Sequence, residues 1–226
     1  MAKIINTLND FVSYVNTLYN SSSSAPSSGE EDYTVWTSLA NIAVNVWENE
    51  EGILWNELFV RLADASDGDK TTVKAQDSYD VPSDFRFPAG GYVWLGDNTA
   101  KTAYKIIKQQ ELQLYENNSE NWCYFLMDGS PTLEFNPNLT LAADYTINYA
   151  YYKYASKLSS SSDTFEMADP MFAVYFALAE LKKEEGNAAE LQLAQEKLSA
   201  MKVKNEMPTW LQEYSLINKT KQGFGY

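Results

Sequence analysis

Histidine is absent from this 226-residue chain, and cysteine occurs once, at Cys123. Without imidazole there is no Ser-His or Cys-His nucleophile pair, no two-histidine zinc motif and no imidazole acid–base work. One thiol makes no internal disulfide and no thiol-rich metal site. Arginine is nearly as scarce, limited to Arg61 and Arg86, and 17 Lys+Arg face 31 Asp+Glu for a net charge of −14. A reader of duplex DNA or RNA needs a basic face, which this composition does not supply. The same acidity opposes adhesion to anionic membrane. No run of about 18 apolar residues is present to span a bilayer. The first twenty residues are amphipathic and broken by Asn and Asp, unlike the apolar stretch of a secretion signal. Synthesis in a reducing cytoplasm is the expectation, and the four Asn-x-Ser/Thr sequons (Asn20, Asn117, Asn138, Asn218) read as by-products of an Asn- and Ser-rich composition. Carboxylate chemistry, binding and architecture remain open.

An apolar fraction of 45% is enough for a core. Ile4, Leu8, Phe11, Val12, Val15, Leu18 and Tyr19 recur at helical spacing and predict a first helix. Residues 21–32, SSSSAPSSGEED, hold too little apolar surface to bury and read as a mobile loop or tether. Val35, Leu39, Ile42 and Val46 run beside Trp36, Ala40, Ala43 and Trp47, two stripes predicting a helix with a broad buried face. Leu54, Leu58 and Leu62 predict a third helix, ending near Asp67-Gly68-Asp69.

The middle of the chain changes period. An extended segment (71–81) reaches Pro82, and aromatic and β-branched runs at 92–96, 102–108, 122–127, 132–135 and 145–154 predict strands. Asp128-Gly129 predicts the turn of a hairpin, and Gln109–Asn117 a short inserted helix. Along the last strand Tyr145, Ile147, Tyr149 and Tyr151 share a face, as an antiparallel sheet packed on one side requires. Asp169-Pro170 then starts a helix and Gly186-Asn187 stops it, before a second helix carrying Leu191, Leu198 and Met201.

The fold class is α+β: N-terminal helices (1–70, with the Ser-rich loop 21–32), a central small antiparallel β-sheet region with a short inserted helix (71–155), a C-terminal helical hairpin (163–205) and an extended C-terminal tail (206–226), in one structural domain.

Carboxylates are the remaining catalytic candidates. Glu30-Glu31-Asp32, Glu50-Glu51 and Glu184-Glu185 are adjacent in loops or helix ends, whereas glycoside hydrolysis needs two carboxyls across a sugar site with one buried. Asp64, Asp67 and Asp69 resemble a calcium loop superficially, but position 75, where its bidentate acid belongs, is Ala. No phosphate-cradling loop is present. The expectation is no catalytic residue, no metal and no cofactor.

Aromatics are abundant: 16 Tyr, 10 Phe and 6 Trp, 14% of the chain. Such rings serve a core, a subunit interface or a carbohydrate platform, and Trp36 and Trp47 are open between the first two. After Pro208 the chain keeps Trp210, Leu211, Tyr214, Leu216, Ile217, Phe224 and Tyr226 among turn and breaker residues. An apolar end that packs poorly as a regular element is expected to dock on a neighbour.

Three features then resemble one family: Tyr79-Asp80-Val81-Pro82-Ser83-Asp84-Phe85 entering the sheet ahead of Gly90-Gly91-Tyr92-Val93-Trp94; the short helix 109–117 with the hairpin 122–135 and strand 144–154; and the closing helix pair after Asp169-Pro170. Over roughly residues 1–205 the chain is similar to the tailed-bacteriophage head-to-tail connector (adaptor, ring or neck) proteins, podophage tail accessory factor-like. The Ser-rich insert and the long aromatic tail depart from that pattern. The resemblance implies a structural virion protein at the head–tail interface, assembled as a dodecameric ring below the portal. Its partners would be the portal, tail or neck proteins, and double-stranded DNA passing without specific binding. The tail from Trp210 to Tyr226 would dock on portal or neighbour. Another tail or neck ring, a stopper, or a carbohydrate-binding module are the alternatives.

Overall fold

Thr7 caps the first helix, α1 (Leu8–Tyr19), reciprocally: its hydroxyl accepts from the Asp10 N–H, and the Asp10 carboxylate accepts from the Thr7 N–H at 2.9 Å. That exchange satisfies two backbone donors the helix would otherwise leave open. Leu8, Phe11, Val12 and Val15 form the buried face that their spacing predicts, while Leu18 and Tyr19 stay exposed. The computed structural model describes residues 5–96 and 100–205. They fall in two compact units, Met1–Glu57 with Ala155–Tyr226 and, inserted between those segments in sequence, Leu58–Tyr154.

In the first unit the Ser-rich segment is tied down at its start. The buried Asn16 amide donates to the carbonyls of Ser22 (3.0 Å) and Ser24 (2.7 Å), so polar side-chain bonding does what apolar burial cannot. Helix α2 (Glu31–Glu48) begins inside the acidic run, where Glu31 and Asp32 suit the positive end of the helix dipole. Its two stripes part company. Trp36 and Trp47 are 2% and 1% exposed and belong to the core, with Ala40 and Ala43. Val35, Ile42 and Val46 are exposed instead of joining a broad buried face. Neighbouring residues on a helix point about 100° apart, and α2 packs against α1 and α4 (Met171–Leu181) on its tryptophan side.

Helix α4 is apolar nearly all round because α1, α2 and α5 (Ala188–Asn205) all pack against it. The Asp169 carboxylate accepts from the Met171 N–H at 3.2 Å and starts α4 where Asp169-Pro170 predicts. Gly186, at φ +106°, turns the chain into α5. Leu191, expected inside, is exposed; Ala194 and Met201 carry the buried face of α5.

The predicted third helix does not exist. Residues Asn56–Leu58 and Leu62–Asp64 are single 3-10 turns flanking a strand, β1 (Phe59–Arg61). A spacing of four residues keeps Leu58 and Leu62 on one side of a helix and equally on one side of a strand, and the register of Phe59–Arg61 against Tyr152–Ala150 decides the matter.

In the second unit six strands run in the order β2 (Ser78–Asp80), β7 (Thr132–Phe135), β6 (Trp122–Leu126), β5 (Lys101–Ile106), β4 (Tyr92–Gly96), β8 (Thr146–Asn148). The short helix α3 (Leu112–Tyr115), preceded by a 3-10 turn, carries the chain from β5 to β6, which pair in parallel; the other pairs are antiparallel. Gly129 at φ +70° turns β6 into β7. Most of the segment 71–81 is irregular, its strand confined to 78–80.

A second sheet of three strands, β1, β9 (Ala150–Lys153) and β3 (Phe85–Pro88), corrects the single strand expected over 145–154. The chain leaves one sheet after Asn148 and joins the other at Ala150. Inward alternation survives the switch: Ile147, Tyr149 and Tyr151 are buried, and only Tyr145 is exposed. One apolar cluster spans both sheets, with Phe85 stacked on Phe125 (4.7 Å) and on Tyr151 (5.4 Å).

Candidate functional site

Trp210, Leu211, Tyr214, Leu216, Ile217, Phe224 and Tyr226 lie outside the described residues. The acids weighed for chemistry are dispersed, and Glu30 and Glu50 are engaged in structure. Glu30 accepts from the Ser27 hydroxyl, Glu50 pairs with Lys202, and Glu184 and Glu185 sit exposed in the turn after α4. Among the described residues no group of three or more Cys, Asp or Glu is placed to hold a metal ion. Cys123 is buried, and that burial pushes its thiol up to about 12, far from the thiolate form a nucleophile needs.

The acidic loop 64–70 has a structural task. Asp69 exchanges backbone and side-chain bonds with Asp80 (Asp69 N–H to Asp80 carbonyl 2.8 Å; Asp80 N–H to Asp69 carboxylate 2.9 Å), and the Ser83 N–H donates to Asp67 at 3.2 Å. Hydrogen bonds from the Ser83 side chain, then its backbone, hold the Asp67 carboxyl below the usual range. Lys70 folds back onto the Ala65 carbonyl at 2.6 Å. The loop therefore clamps residues 79–85, the segment that carries the family resemblance.

Tyr79 and Phe85, at the two ends of that segment, enter different sheets. The Tyr79 hydroxyl donates to the Gln76 carbonyl at 2.8 Å, and the Tyr151 hydroxyl donates to Asp84 at 2.8 Å. A register shift at Arg86 turns Phe85 into the core and leaves Phe87 opposite Tyr152 on the outer face.

That outer face is built of rings. Phe59 meets Tyr152 edge-on at 5.8 Å, Tyr152 meets Phe87 at 5.4 Å, and Arg86 lies over Phe87 and Tyr154 at 5.4 and 5.8 Å. Phe59 is 43% and Tyr154 51% exposed. Arg61, two residues along β1 from Phe59, shares its side of the strand. It borders a groove of about 350 Å³ whose other walls include Ala63, Trp94 and Asn148. Trp94 and its neighbour Tyr92 (6.1 Å) are both exposed on the solvent side of β4. Both arginines of the chain thus stand on one ring-rich surface of the second unit. Reading 58–62 as helix concealed it; the signal was that each of the two rare arginines lies within two positions of a phenylalanine, Phe59 and Phe87.

In the first unit the exposed stripe Val35, Ile42 and Val46, with half-buried Leu39, runs along α2 behind the exposed carboxylates of Glu31 and Asp32. Tyr, Trp and Arg at a concave site and an aliphatic helix ridge are both features of protein contact surfaces.

The family model described as SU10 adaptor protein matches residues 7–214. No curated protein matches the chain.

Proposed function

The chain belongs to the SU10 adaptor protein family, and on that premise we propose that it works as a ring beneath the phage portal, joining capsid to tail and continuing the DNA channel. The match over residues 7–214 carries this reading. As a phage adaptor it is a structural virion component that meets other head and tail proteins. The finer reading names the portal on one side, tail or neck proteins on the other, and twelve copies around the ring.

Charge supports the channel role. Duplex DNA carries about one charge per 1.7 Å, so a conduit that must release DNA gains from acidic walls and from few guanidinium clamps. A subunit of net charge −14 with two arginines suits that requirement. The tail from Trp210 to Tyr226 is the proposed docking segment for the portal.

The test is the mass of the purified protein, alone and mixed with its portal ring. A 25.6 kDa subunit that adds to the portal in multiple copies is the expected result. A subunit indifferent to the portal overturns the reading. A truncation after Glu206 should fold normally yet fail to join portal-bearing heads; if it still joins them, the tail is not the docking element.

A further inference from the structure

Two surfaces of this chain are apolar, exposed and opposite in charge. On the second unit, Phe59, Tyr152 and Phe87 form a ring row with Arg61 and Arg86 on either side and Trp94 across the groove. Arg61 makes no ion pair with any described carboxylate, and its side of β1 is an unpaired sheet edge. On the first unit, α2 presents Val35, Leu39, Ile42 and Val46 with Glu31 and Asp32 at its start, neither acid held in an ion pair among the described residues.

We propose that these two surfaces meet between copies: the Phe59–Arg61–Trp94 surface of one chain receives the Glu31–Asp32–Val35–Ile42 side of α2 from the next. This rests on the ring reading above and names its subunit contact. Charge selects the occupant. Copies of net charge −14 repel one another at a distance, so self-association needs a place where the sign is reversed, and the guanidinium groups of this chain are both on this surface. Guanidinium binds carboxylate through two parallel hydrogen bonds, and two adjacent acids on an exposed helical turn offer such acceptors. The aliphatic ridge behind them matches the rings beside Arg61, so each surface sets charge next to apolar area. A nucleic acid fits worse, because Asp64, Asp67 and Asp84 lie within the same unit and oppose phosphate.

The two surfaces differ from each other, so the contact is head-to-tail. Such a contact leaves one free surface of each kind after every addition and closes only when the rotation completes a ring. An α2-to-α2 pairing would instead stop at two copies and leave Arg61 without a carboxylate.

Charge reversal tests the pairing. Arg61→Glu, and separately Glu31→Lys with Asp32→Lys, alter exposed side chains, so each variant should melt like the parent. Each should weaken ring formation about tenfold or more by mass measurement, with or without the portal ring. Combining all three substitutions in one chain should restore rings. If either single-surface variant assembles like the parent, the pairing is wrong while the ring reading stands. Loss without rescue in the combined variant also overturns it, since the two surfaces then serve separate contacts. If the parent itself forms no ring even on the portal, the ring reading fails first and this contact falls with it.

Discussion

The Tyr151 hydroxyl donates to the Asp84 carboxylate at 2.8 Å, joining β9 to the end of the Tyr79–Phe85 segment across 67 positions of sequence. Tyr151 is fully buried in the cluster that spans both sheets. Hydrogen bonds to charged acceptors contribute about 1.5–3 kcal/mol. Tyr151→Phe keeps the ring and removes the donor, so urea unfolding should register a loss in that range. A loss below about 0.5 kcal/mol would mean that water replaces the hydroxyl at Asp84.

Gly68 and Gly90 make opposite forecasts. Gly68 has φ +84°, and a Cβ there would stand 2.8 Å from both the nitrogen and Cδ of Pro82. Gly68→Ala should therefore destabilise by at least about 1 kcal/mol, combining left-handed backbone strain with a clash against the clamped segment. Gly90 has open space around it, and Gly90→Ala should be neutral or slightly stabilising. Thermal melts of the two variants separate the cases.

The two stripes of α2 differ in the same way. Trp36→Ala should cost about 3–5 kcal/mol and leave the isolated chain largely unfolded at moderate denaturant. Ile42→Ser, on the exposed stripe, should stay within about 0.5 kcal/mol of the parent. Equal losses at both positions would show that the outer stripe is covered in the free chain.

Acid should unfold the protein through carboxylates held below their usual range. Backbone amides lower Asp10 (from Thr7) and Asp163 (from Ser160 and Ser159), hydrogen bonds from Ser83 lower Asp67, and the Lys182 ammonium lowers Glu190. Between the folded and ordinary values the unfolded chain binds more protons, so stability rises with pH across that window. It should be full above about pH 5 and fall as these groups protonate below about pH 4. At the alkaline end burial raises Tyr79, Tyr104, Tyr149 and Tyr151. Their contribution is complete below about pH 10 and declines above it, because unfolded tyrosines ionise first. Denaturant midpoints from pH 3 to 11 should trace both limbs; a flat acid limb would rule these carboxylates out as the cause.

Cys123 offers a clean unfolding probe. With its thiol pushed up to about 12 by burial, it should resist a thiol reagent at pH 8 in native protein and react fully in denaturant. Rapid native labelling would place the thiol at a surface.

Much of the fold could be read locally. The spacing of Leu8, Phe11, Val12 and Val15 contains one solution, as does the Asp169-Pro170 start of α4, and Asp128-Gly129 allows little besides a turn. Ambiguity entered wherever a pattern fits two periods or two faces. Leu58 and Leu62 fit helix and strand alike. The run from Tyr145 to Tyr154 alternates without a break, so nothing in it marks the switch from β8 to β9 at Tyr149. The ring-rich surface around Phe59, Arg61 and Trp94 was hidden for the same reason: its members come from four strands, β1, β3, β4 and β9, and meet only in the tertiary fold.

The sequence by itself excluded imidazole, disulfide and basic-face chemistry, set the α+β succession and carried the resemblance to the connector proteins, because composition and short-range spacing act through each residue's own chemistry and its nearest neighbours. Tertiary structure alone decided which stripe of α2 is buried, where β8 hands over to β9, and that both arginines stand beside a partly exposed row of rings. Burial of a side chain depends on what a distant segment places against it, and two stripes of equal hydrophobicity remain equivalent until α4 covers one of them.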